Sequence, residues 1–96
     1  MTEITSTELK SRINQGEDII ILDVRQPEEH AEKNIPHSLL IPLNELPNRL
    51  DELEAYKGRE IVVYCRSGAR SGQAVQFLEA SGYSKIKNLK GGILGW

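Results

Sequence analysis

Two short apolar runs constrain this chain more than anything else in it. They are Ile19-Ile20-Ile21-Leu22, continuing into Asp23-Val24, and Ile61-Val62-Val63-Tyr64. Neither alternates apolar with polar residues, so each predicts a strand covered on both faces, the environment of a parallel sheet. Parallel strands need crossover connections, and the segments between the runs supply them. Thr5 can cap a helix over about residues 6–15, with Ile4 and Leu9 at the staple positions and Gly16 just past its end. Pro27-Glu28-Glu29-His30-Ala31-Glu32 reads as a short helix with proline in its first turn. Asn44 can cap a third helix, with Pro47 still in the first turn and Leu43, Leu46, Leu50 and Leu53 on one apolar face. A fourth runs from Ser71 to about Ser81, with Ala74, Val75 and Leu78 on one side. Leu39-Leu40-Ile41 and Ile86-Lys87-Asn88-Leu89 read as two further strands. Strands alternating with helices predict an α/β fold with a mainly parallel sheet. Ligands in such sheets bind at the C-terminal ends of the strands.

Ninety-six residues are too few for two cores, so residues 1–96 are expected to form a single domain. With 39% hydrophobic and 27% charged residues, the chain is globular rather than disordered. No apolar run approaches the roughly 18 residues that span a bilayer. The opening Met1-Thr2-Glu3-Ile4-Thr5 lacks the basic and apolar regions of a signal peptide. The single cysteine rules out an internal disulfide and a Cys-rich zinc site. The expectation is a small cytoplasmic domain, monomeric, with no membrane partner and no metal.

A net charge of −2 is too mild for a nucleic-acid partner. Its distribution says more. Residues 1–60 hold 7 basic and 13 acidic residues, whereas residues 61–96 hold 5 basic residues and one acid, Glu79. Arg66 and Arg70 fall in the carboxylate-free stretch between Glu60 and Glu79. A local positive field would favour a small anion there, although charge alone fits two solvated loop arginines better.

The loop Cys65-Arg66-Ser67-Gly68-Ala69-Arg70 joins the second apolar run to a helix N-terminus. A short loop in that position can turn successive backbone N–H groups inward, and Gly68 permits a positive φ. Such a nest, backed by a helix dipole, binds anions. A cysteine at its centre has its pKa lowered from about 8.5, which makes it a nucleophile able to carry an anionic group such as a persulfide. A lone cysteine is ordinarily a small buried hydrophobe; the strand–loop–helix setting is what favours function here.

Cys65-Arg66-Ser67-Gly68-Ala69-Arg70-Ser71 resembles the active-site loop of the single-domain rhodanese (thiosulfate sulfurtransferase) family. Asp23-Val24-Arg25 before Pro27-Glu28-Glu29 is similar to that family's Asp-x-Arg segment, and Ile35-Pro36 to the centre of its Gly-His-Ile-Pro-Gly-Ala motif. Asn88-Leu89-Lys90-Gly91-Gly92-Ile93-Leu94-Gly95-Trp96 resembles its closing Leu-x-Gly-Gly…Trp segment. The resemblance covers nearly the whole chain. It implies a rhodanese-like three-layer α/β domain with a five-stranded parallel sheet flanked by helices. It also implies a two-step reaction. Cys65 takes the outer sulfur of a small anionic donor such as thiosulfate, or of a protein persulfide, and passes it to a thiol or cyanide acceptor, with no cofactor. One motif departs from the family: Lys33-Asn34-Ile35-Pro36-His37-Ser38 lacks both glycines and the histidine, so altered turn geometry is expected more than lost chemistry. Many members of that family also run a little beyond the position of Trp96.

By the same resemblance, Cys65 is the nucleophile and the backbone N–H groups of Ser67, Gly68, Ala69, Arg70 and Ser71 form the cradle. Ser67 and Ser71 could add hydroxyl donors, and Ser71 could equally be a helix cap. Arg66 and Arg70 could both attract the donor's charge, and the residues alone do not say which points inward. Asp23 and Arg25 support the site from a neighbouring strand end, most simply as a structural salt bridge. Glu28 or Glu29 could pair with Arg25 or an active-loop arginine. His30 and His37 are not needed as bases, because the cradle itself favours the thiolate. Tyr64 and Trp96 read as packing residues. Two other functions fit less well. A phosphatase or arsenate reductase would use a Cys-x5-Arg loop, but only four residues separate Cys65 from Arg70. A non-enzymatic interaction module would not need the cysteine.

Overall fold

The computed structural model describes residues 2–96. Its strands are β1 (Glu3–Ile4), β2 (Ile20–Asp23), β3 (Leu39–Leu40), β4 (Ile61–Tyr64) and β5 (Ile86–Leu89). They form one sheet in the order β1-β5-β4-β2-β3, with every neighbouring pair parallel. The two apolar runs lie side by side at its centre, with Ile21 opposite Val62 and Asp23 opposite Tyr64.

Side chains alternate across this sheet, and the core divides accordingly. Leu22, Val24, Ile61, Val63 and Cys65 pack on one face with Leu46, Leu53, Ala74, Val75 and Leu78. Ile21, Val62, Tyr64 and Leu89 pack on the other with Ile4, Leu9, Ile35 and Ile93. The helices are α1 (Ser6–Asn14), α2 (Pro27–Glu32) and α3 (Ala69–Ala80). Thr5 caps α1, its Oγ1 accepting from Glu8 N at 3.1 Å. No helix among the described residues is long and apolar enough to cross a membrane.

Two sequence expectations change. The segment with the four leucines is not one α-helix but two 3₁₀ helices, Leu43–Asn48 and Leu50–Tyr56, meeting at Arg49. Side chains three apart align in a 3₁₀ helix, so Leu43 with Leu46 and Leu50 with Leu53 still reach the core. Pro47, which has no N–H, cannot support a continuous α-helical ladder through this stretch. Helix α3 starts at Ala69, with Gly68 at its N-cap at φ 120°, so Ser71 lies in the first turn and is not the cap. The fifth strand is the two-residue β1, too short for any periodicity to reveal.

Candidate active site

Cys65 follows β4 directly and keeps to the face of Ile61 and Val63, so its side chain points under the start of α3. It is the free cysteine of the chain and is buried. Gly68 N donates to its Sγ at 3.0 Å, and Ser71 Oγ stands 3.4 Å from the same sulfur. Burial pushes the thiol pKa up. The Ser71 hydroxyl and the N–H groups of Ser71, Gly68 and Ser67 more than offset this, and the balance leaves it below the ordinary thiol value. Ala69 and Arg70 open α3 and make no backbone bond to the sulfur among the described residues.

The C-terminal turn braces the loop from behind. Ile93 N donates to Cys65 O at 2.9 Å and Leu94 N to Arg66 O at 3.1 Å. The chain approaches so closely at Gly92, with φ +56°, that a Cβ there would lie 2.5 Å from both carbonyl oxygens. Only glycine satisfies both demands.

The two loop arginines differ. Arg70 Nη1 and Nη2 bond Glu29 Oε1 and Oε2 at 2.8 and 3.0 Å, which neutralises its charge. Arg66 is exposed, makes no ion pair among the described residues, and lines a cleft of about 190 Å³ with Arg25, Glu29, Glu32, Lys33, Ile93 and Leu94. Arg66 is therefore the loop arginine whose charge is free at the cleft.

Asp23 and Arg25, at the end of β2, form a buried ion pair. Arg25 Nε reaches Asp23 Oδ1 at 3.0 Å, Nη2 reaches Oδ2 at 2.8 Å, and Nη2 also donates to Lys33 O at 2.6 Å. Burial works against the Asp23 carboxylate, but the bonds from Arg25 and His30 hold it below its usual range. An ionised carboxylate can only accept, so His30 Nδ1–H is the donor in its 2.9 Å contact with Asp23. That places His30 on Asp23. The pair is thus a strut between β2 and the turn at residues 33–38. Tyr64 holds the same turn, its hydroxyl accepting from Ile35 N at 3.1 Å and lying 3.0 Å from Ser38 Oγ. His37, in that turn, has φ 67°, a left-handed backbone that suits glycine.

One residue at the site carried no signal of its own in the sequence. Asn88, buried on β5, has its Oδ1 2.5 Å from Ser71 Oγ, and its Nδ2 donates to Gly68 O at 3.2 Å. A polar residue inside an alternating strand usually faces solvent. Only the pairing of β5 with β4 turns it toward the loop. Among the described residues no cluster of three or more His, Cys, Asp or Glu side chains is placed to hold a metal ion.

Residues 5–96 match the family described as rhodanese-like domain. A sulfurtransferase of Allochromatium vinosum is 43% identical over 96 residues, which span all of this chain and 88% of that one. A rhodanese-like domain protein from Staphylococcus aureus superposes with a TM-score of 0.92 at 35% identity, covering 100% of this chain and 91% of that one. A human single-domain sulfurtransferase superposes with a TM-score of 0.87 at 30% identity, covering 100% and 95%.

Proposed function

The chain belongs to the rhodanese-like family, whose fold and relatives indicate a sulfurtransferase-type activity, and we propose that it moves sulfane sulfur through a persulfide on Cys65. In the first half-reaction the Cys65 thiolate attacks the outer sulfur of thiosulfate or of a persulfide donor. The new Sγ–S bond forms as the donor's S–S bond breaks, and sulfite or the donor thiolate leaves with the electron pair. In the second, a thiolate or cyanide attacks the outer sulfur and Cys65 departs as thiolate. Electrons balance without an external oxidant, and the reading calls for no cofactor.

The observation that carries this is the donor set around the sulfur, with Gly68 N–H at 3.0 Å and the Ser71 hydroxyl at 3.4 Å. Both stabilise an anion at that point, in the thiolate that attacks the donor and again in the thiolate that departs in the second step. Ser67, Gly68 and Ser71 supply donors, Ala69 and Arg70 open the helix behind them, Arg66 draws the anionic donor into the cleft, and Asp23 with Arg25 holds the neighbouring rim. The same reading takes the domain to act as a monomer in the cytoplasm, where a lone thiol stays reduced.

Thiocyanate formation from thiosulfate and cyanide tests the proposal. Turnover by the wild type and none by Cys65→Ala is the expected result. Cys65-dependent hydrolysis of a phosphate ester, without thiocyanate, would replace this reading with the phosphatase one. Turnover by neither, with Cys65→Ala keeping the protein's role in the cell, would favour an interaction module.

A further inference from the structure

The Ser71 hydroxyl has one proton and three acceptors around it: Asn88 Oδ1 at 2.5 Å, Gly68 O at 3.2 Å and Cys65 Sγ at 3.4 Å. A carbonyl oxygen has two lone pairs. Those of Gly68 O are already engaged by Gly72 N at 3.0 Å and Asn88 Nδ2 at 3.2 Å. The proton's real choice is between Asn88 and the sulfur. We propose that Asn88 is a positioning residue that sets the nucleophilicity of Cys65 by competing with its sulfur for the Ser71 proton.

The mechanism needs no movement of heavy atoms. With Cys65 as neutral thiol, a poor acceptor, the hydroxyl donates to Asn88 Oδ1. When Cys65 ionises, the sulfur becomes the stronger acceptor, and the hydrogen turns about the Ser71 Cβ–Oγ bond to meet it. That rotation strips Asn88 Oδ1 of its donor in a buried place, which opposes ionisation. Asn88 Nδ2 meanwhile fixes Gly68 O, the carbonyl of the same residue whose own N–H donates to the sulfur. The resting thiol is thereby kept more basic, and a more basic thiolate is the better nucleophile. The charged and titratable groups at this end of the sheet include Arg66 in the loop, Arg70 on α3 with Glu29 of α2, and the Asp23–Arg25 pair at the end of β2 with His30 on Asp23. The test leaves all of them in place.

The inference rests on the sulfur-carrier reading of Cys65, but its test does not require turnover. The pH dependence of Cys65 alkylation by iodoacetamide is measured for wild type, Asn88→Ala, Ser71→Ala and the double variant, with thermal unfolding of each. Removing Asn88 should lower the apparent Cys65 pKa by about one pH unit when Ser71 is present and leave it unchanged when Ser71 is alanine. Equal shifts in both backgrounds, or none in either, would overturn the proposal. Should Asn88→Ala not fold, Asn88→Asp keeps the shape. Its carboxylate should hold the Ser71 proton harder and raise the apparent pKa more when Ser71 is present than when it is alanine, and an equal rise in both would likewise overturn the coupling. Absent thiosulfate turnover with the coupling intact would count against the proposed function alone.

Discussion

Arg70 and Glu29, 41 residues apart in the chain, meet fork to fork at 2.8 and 3.0 Å across the N-termini of α3 and α2. The contact assigns different duties to two arginines that look alike in the sequence. Arg70 ties α2 to the loop, while Arg66 lines the cleft with no ion pair among the described residues.

Arg66→Ala should therefore lower kcat/KM for thiosulfate about fivefold, chiefly through KM, as expected for an exposed charge worth about 1 kcal/mol. The wild-type rate should also fall more steeply with salt than the variant's. Arg70→Ala should act on stability and spare KM. The reverse pattern in steady-state kinetics would exchange the two roles.

Glu29 also gives the fold a pH signature. The bonds from Arg70, then the one from Gln26 N, hold its pKa at about 2 against an ordinary 4.5. A carboxyl depressed on folding stabilises above its unfolded pKa, and that contribution is lost as pH falls from about 4.5 toward 2. Glu29→Gln should flatten the stability–pH curve in that window in chemical denaturation. An unchanged slope would mean that the pair does not persist in solution.

The turn behind the cysteine loop separates two neighbouring glycines. At Gly91, φ is +80° and a Cβ would meet the Gly95 Cα at 3.9 Å, an ordinary contact, so alanine should cost about 1 kcal/mol. At Gly92 a Cβ would strike the carbonyls of Cys65 and Arg66. Gly92→Ala should cost about 3 kcal/mol or more and disturb the cradle. Thermal unfolding and alkylation of Cys65 measure both effects, and equal losses at the two positions would refute the brace.

Much of this was legible in the chain. The runs at Ile19–Leu22 and Ile61–Tyr64 lack polar interruption because both faces are covered, and they mark the central strands directly. The loop at Cys65 is legible because a glycine, two arginines and a helix start after a strand have few other uses. What escaped depends on contacts distant in sequence. Asn88 looks like an ordinary polar strand residue until β5 lies beside β4. The Arg70–Glu29 pair joins elements with nothing local in common. The leucine segment misled because a spacing of three fits both helix types, and the four-residue step from Leu46 to Leu50 crosses the break at Arg49.

The turn at residues 33–38 carries a removable strain. His37 adopts φ 67°, where a side chain costs about 1–2 kcal/mol, partly offset by the greater unfolded freedom of glycine. His37→Gly should raise stability by about 0.5–1 kcal/mol in urea unfolding, with no change in Cys65 reactivity. A loss of stability would show that the imidazole makes a compensating contact.

The central claim is that Cys65 carries the sulfur, and intact mass measures it most directly. Protein incubated with thiosulfate and freed of excess donor should gain one sulfur, and cyanide should remove it. Cys65→Ala should gain nothing. Cyanide is the needed control, because two added oxygens weigh nearly the same as one sulfur and a sulfinate resists it. No cyanide-sensitive adduct on a wild-type protein whose Cys65 still alkylates at neutral pH, with thiosulfate and with a persulfide donor alike, would contradict the account.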